Sequence, residues 1–217
     1  MTRTPLLLVA VLALAGCSSG GTSGAAAPTG TPHTSAAAPS TAPTGVAATP
    51  PTTGASAVPA EKNPPGDIPD NIAYVRYANA AGRYSFTHPE GWAETTHGPW
   101  VSFTDKLNGV QAAPGTASTT PTVATATSKD VPALRASQAA FELRAVTALS
   151  FPGGAGVRIV YRRNSAPDPV TGRQYRDEVE HYELVSSGRE VVVELFGPVG
   201  ADNVDAYKTM ITSLRLA

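Results

Sequence analysis

Apolar and polar positions divide this chain into three stretches of unlike pattern. Leu6 to Ala15 is an unbroken apolar run, well short of the ~20 residues that a bilayer-spanning helix requires. From Ser18 to Ala60 there is no period at all: only His33, Val46 and Val58 depart from Ala, Gly, Pro, Ser and Thr. Such a stretch has too little apolar surface to offset the entropy of ordering it, so it is expected to be a disordered linker. Period-two alternation begins only near residue 70, and it continues almost to the C-terminus.

Within that last stretch, Tyr74–Tyr77 and Arg83–His88 are short aromatic-rich runs either side of an Ala/Asn/Gly turn. They read as strands. Trp100–Thr104 reads as another, with residues 105–109 turning the chain back, and Thr122–Thr127 as an edge strand. Val131–Ala140 places Val131, Leu134, Arg135 and Gln138 at helical spacing and predicts a short helix. The clearest alternation follows in residues 141–149, 157–163, 175–185 and 190–196. Glycine-rich 153–156 and Ser186-Ser187-Gly188-Arg189 join these strands as turns, and four strands in series predict an antiparallel sheet. Gly197-Pro198-Val199-Gly200 ends it. A helix over residues 203–214 is then expected, capped by Asp202 or Ala201, with Val204, Tyr207, Ile211 and Leu214 as its apolar stripe.

Composition sharpens the N-terminal reading. Leu14-Ala15-Gly16-Cys17 closes the apolar run with the chain's one cysteine, the pattern of a lipobox. Residues 1–16 are then expected to be a lipoprotein signal peptide and Cys17 the acylated first residue of the mature chain. Two or more acyl chains on Cys17, palmitate among them, anchor stably where one does not. Residues 17–69 would form the lipidated cysteine and its linker, and residues 70–217 a domain large enough for one core. A single cysteine provides no disulfide framework. Apart from Arg3, every charge lies from Glu61 onward, where 15 basic side chains face 17 acidic ones. This balance lacks the basic face that nucleic acid would demand.

Gly82-Arg83-Tyr84-Ser85-Phe86-Thr87-His88-Pro89-Glu90-Gly91-Trp92 resembles the opening of PsbP-like domains, where an aromatic strand runs into a Pro-x-Gly-Trp turn. Asp205 to Leu216 is similar to the closing helix and strand stub of the same group, which includes lipoproteins of high-GC Gram-positive bacteria of the LpqN type. The resemblance implies an α+β fold: an α/β/α sandwich on a curved antiparallel sheet. It further implies a noncatalytic binding or assembly module and carries over no catalytic residue. Residues 112–128 and 165–174 read as long loops, so a ligand surface there would be particular to this chain.

Several residues carry chemistry worth placing. Asp177, His181 and Glu183 fall on one face of a strand, and imidazole with carboxylates suits a divalent metal. Trp92, Trp100 and His88, near the aromatic turn, are candidates for ligand contact. No Gly-x-Ser-x-Gly elbow, phosphate loop, His-Glu-x-x-His or Cys-x-x-Cys pattern occurs, so no catalytic residue and no cofactor is assigned. The expectation is an extracytoplasmic, lipid-anchored cell-envelope protein, monomeric, with a domain that binds an envelope protein or a lipid or glycan ligand. A metal-dependent or hydrolytic surface enzyme and a structural spacer are the alternatives.

Overall fold

The chain divides after Ala47. The computed structural model describes residues 54–62 and 66–217, all in the second unit; the expected signal peptide, Cys17 and most of the expected linker lie outside the described residues. The fold is α+β, built on antiparallel sheets. Seven strands form the main sheet in the order β3-β4-β5-β9-β8-β7-β6, where β3 is Ala93–His97, β4 Trp100–Asp105, β5 Asn108–Pro114, β6 Glu142–Phe151, β7 Gly154–Asn164, β8 Arg176–Ser186 and β9 Arg189–Pro198. A smaller sheet pairs β1 (Tyr74–Asn79) and β10 (Arg215–Leu216) on either side of β2 (Tyr84–Pro89). Among the described residues no helix is long and apolar enough to cross a membrane.

The main sheet is covered on both faces. On one face Tyr182, Leu184, Val191, Val193, Leu195, Val101 and Phe103 meet Tyr84, Phe86 and Trp92, with Met210, Ile211 and Leu214 from the helix α3 (Val204–Thr212) and the turn after it. On the other, Val157, Ile159, Tyr161 and Val179 meet Ala126 and Val131, from a short helical run: α1 (Val123–Thr125), a π-helical turn (Ala126–Asp130) and α2 (Val131–Ser137). The four long strands follow the alternation of the sequence. Between β8 and β9 the turn is two residues, Ser187 (φ 52°) and Gly188 (φ 73°), the two left-handed positions that a tight hairpin matched to strand twist requires.

Four expectations are corrected. Residues 122–127 are helical, not an edge strand. Thr122 and Thr125 form a capping box, Thr122 Oγ1 accepting from Thr125 N and Thr125 Oγ1 from Thr122 N at 3.2 and 2.9 Å, so local capping overrides the β preference of threonine. The 112–128 stretch is partly strand, since β5 runs to Pro114; with β3 it went unread because its residues are polar, small or imino. The cap of α3 is Asn203, whose side chain makes no capping bond. It instead accepts from Ile68 N (2.8 Å) and donates to Gly66 O (3.1 Å) and Asn108 Oδ1 (3.0 Å). Val204, expected in the apolar stripe of α3, is 72% exposed, and Met210 takes its place in the core.

The domain's bonding reaches back into the sequence before residue 70. Asn164 at the end of β7 accepts from Val58 N at 3.0 Å and donates to Ser56 O at 2.8 Å, and Glu61 pairs with Arg173.

Candidate functional site

The helical run stands off the sheet beside the second core and leaves a cavity of about 660 Å³. His181 and Glu183 from β8 and Val192 from β9 form its floor. Lys129, Asp130, Ala133 and Ser137 overhang it, and residues 115–121 make the wall. That wall is fastened to the start of β9: Gly115 N donates to Glu190 O (3.1 Å) and Ala117 N to Glu190 Oε2 (2.8 Å). A Cβ at Gly115 would sit 2.0 Å from Glu190 Oε2, so a larger residue there would push the carboxylate from its bond to Ala117 N. The π-helical turn carries Lys129 and Asp130 to the rim, an irregularity that in helices often accompanies function.

Strand phase sets what lies beneath. Odd-numbered residues of β8 face the helical run, and register puts His181 opposite both Ile159 and Glu194. The imidazole is nearly enclosed, with Nδ1 3.0 Å from Glu194 Oε1 and Nε2 3.2 Å from Glu183 Oε1. Tyr161 Oη donates to the same Glu194 oxygen at 3.0 Å. Arg163 then lies 3.6 Å from Glu194 Oε2 and 3.7 Å from Asp177 Oδ2, and donates to Gln138 Oε1 on the helical side at 3.0 Å. Asp177, Arg163, Glu194, His181 and Glu183 thus form a buried row of alternating charge across β7, β8 and β9, ending under Asp130 at the cavity.

Burial by itself disfavours the imidazolium, but hydrogen bonds to Glu183 and Glu194 and their negative charges outweigh it and hold the His181 pKa at about 9. Glu194 is correspondingly lowered: burial opposes its charge, and His181, Arg163 and Tyr161 more than compensate. Asp177 is pushed up to about 6 by burial, which Arg163 only partly offsets. Asp130 is raised by burial and by the charge of Glu183. At neutral pH His181 is therefore a cation donating both N–H groups. In that state it cannot take up a proton as a general base.

The residues expected from sequence are placed as follows. His181 and Glu183 meet at the cavity floor, whereas Asp177 is held away by Arg163. Among the described residues no group of three or more His, Cys, Asp or Glu side chains is arranged to hold a metal ion. His88 and Trp92 are buried in the other core. His88 stacks on Phe103 at 3.6 Å between ring centres, with Nδ1 2.9 Å from Pro89 O, and burial lowers its pKa. Trp100 stacks on His97 at 5.6 Å. None of these three lines the cavity beneath the helical run. On the opposite face of the sheet Arg162 pairs with Glu178 at 2.9 Å and Arg158 with Glu180 at 3.5 Å. Glu194, Asp130 and Glu190 were missed. Glu194 had a signal, an acid in phase with Val192 and Phe196 on an otherwise apolar strand, but only strand pairing shows that it faces His181.

No family model and no curated protein matches the chain. Solved structures similar to it include the cyanobacterial PsbP of Synechocystis sp. PCC 6803 (18% identity, 67% of this chain and 94% of that one, TM-score 0.45). Others are the Saccharomyces cerevisiae Ran-binding protein Mog1p (7%, 67% and 96%, 0.44) and Mycobacterium tuberculosis LpqN, described as involved in cell envelope biogenesis (10%, 68% and 92%, 0.38). The likeness is one of outline, and no residue role is carried across from it.

Proposed function

We propose that this protein is a cell-envelope lipoprotein, anchored through Cys17 on the extracytoplasmic face, whose domain is a noncatalytic module that binds a small polar ligand in the cavity between the helical run and the sheet. The observation that carries the binding reading is the cavity floor. His181 and Glu183 are charged groups buried in a sheet whose other inward positions are mostly apolar, and burying charge is unfavourable unless it is paired. The pair is satisfied, so the floor is fixed in place before any ligand arrives, which lowers the entropy lost on binding. A volume near 660 Å³ falls in the range of small-molecule sites. The hydroxyls of Thr116, Thr119, Thr120 and Ser137 around the lining suit a hydroxylated or amine-bearing ligand.

The test is native mass spectrometry of the full chain extracted in mild detergent. A bound mass is expected on the wild type and is absent from Ala133→Trp, which fills the cavity from an exposed helical position. Equal retention by both, or by neither, refutes the cavity as the site. Anchoring is checked separately: Cys17→Ala loses incorporation of a labelled fatty acid and leaves the membrane fraction.

A further inference from the structure

A second concavity, of about 390 Å³, lies on the face of the small sheet opposite the core residue Phe86 and shares no residue with the ligand cavity. Strand alternation builds it. Register sets Ala78 and Arg215 on either side of Ser85, and Arg76 opposite Thr87, so Arg76 of β1, Ser85 of β2 and Arg215 of β10 share one face. Arg83 joins them from the turn before β2. All three arginines are exposed, and among the described residues no acidic side chain lines the concavity. The contrast with the rest of the domain is clear: Arg144, Arg158, Arg162, Arg163, Arg173 and Arg176 each pair with an acid, whereas among the described residues no ion pair involves Arg76, Arg83 or Arg215.

Neutral acceptors hold these arginines in place. Arg76 Nη2 donates to Ser85 Oγ at 2.9 Å, and Arg215 Nη1 donates to Thr212 O at 2.9 Å and Leu214 O at 2.6 Å, carbonyls at the end of α3. The backbone of Arg83, at φ 57°, is pinned on both sides: Asn79 Oδ1 accepts from Gly82 N at 2.7 Å, and Arg83 O from Ala217 N at 2.9 Å. Arg189 reaches the same margin and donates to Ala217 O. A guanidinium has five N–H donors, so a bond from one nitrogen to a neutral oxygen fixes the group and leaves its charge and most of its fork open. That fork matches phosphate oxygens two at a time and is more weakly hydrated than an ammonium. We infer that this face is a binding site for a phosphate monoester, held by Arg76, Arg83 and Arg215 around the Ser85 hydroxyl. Such a group brings about two negative charges and three acceptor oxygens to three guanidiniums, where a single carboxylate would leave most of their charge unmatched.

Amide spectra of the nitrogen-15-labelled full chain in neutral detergent test this. Inorganic phosphate is added against chloride at equal ionic strength, and in a separate series phosphatidic acid is mixed into the micelles. The amides of Arg83, Ser85 and Arg215 are expected to shift and to saturate. Saturation with inorganic phosphate assigns a soluble phosphoester as the ligand, and a response to phosphatidic acid alone assigns a lipid headgroup. Arg76→Gln with Arg83→Gln, both at exposed positions, should weaken the response about tenfold or more. Arg135→Gln with Arg144→Gln removes the same charge elsewhere on the domain and should leave the response unchanged. No response to either probe overturns the proposal. So does equal weakening by the two pairs of substitutions, which reduces the effect to general attraction between opposite charges.

Discussion

Replacing His181 with glutamine removes a cation from between two buried carboxylates, and its effect is predicted as a dependence on pH. The folded-state pKa of His181 is raised from 6.5 to about 9. A raised histidine contributes stability that is fully present below its unfolded pKa and is lost as pH rises through the folded value. The window is therefore pH 6.5 to about 9. A shift of that size corresponds to about 3 kcal/mol, a large part of the 5–15 kcal/mol that holds a typical domain together. Urea unfolding of the full chain at pH 6, 7.5, 9 and 10 should show the wild type losing about this much between the first and last points. His181→Gln should be less stable by about 3–5 kcal/mol at pH 6, since Glu194 and Glu183 are then left without their counter-charge, and should lack the slope above pH 6.5. An unfolding free energy that is flat from pH 6 to 10 in the wild type would refute the assignment of His181 as a buried cation.

Two further outcomes follow from the same packing. Asp177, raised to about 6 by burial, disfavours the folded state once ionised, so its contribution is most favourable below pH 3.8 and is lost as pH rises through 6; Asp177→Asn should gain relative to wild type across that window by about 3 kcal/mol, measured by unfolding at pH 3.5 and 7.5. Asn203→Ala strands Ile68 N and Asn108 Oδ1, while Gly66 O keeps the bond from Asn108 Nδ2 at 2.7 Å, which should lower stability by about 2–3 kcal/mol in urea titration and speed amide exchange at Ile68.

How much could be read in advance depended on how many faces an element buries. The four long strands of the sheet were legible because Val157, Ile159, Tyr161, Val179 and their partners alternate in phase with the pleat. Polar β3 and the small residues of β5 carry no such alternation; β5 is a strand because β4 and β9 hydrogen-bond to both its edges. Residues 122–127 were misread because two threonines that favour strands also make a capping box. At the site, the phase of His181 and Glu183 was visible in the sequence, and Asp177 shared it. What separated Asp177 was Arg163, which is 14 residues distant in the chain and directly opposite in the sheet.

The sequence alone determined the periodic strands, the closing helix and the sharp change of composition at residue 61, because each is a local property of neighbouring side chains. The cavity, the buried cation and the arginine face of the small sheet were decided only by tertiary structure. They arise where strand register brings Glu194 against His181 and Arg215 beside Ser85, and where the helical run stands off the sheet, and all depend on contacts between residues far apart in the chain. Local pattern sets which face a residue presents. Only packing sets what that face meets.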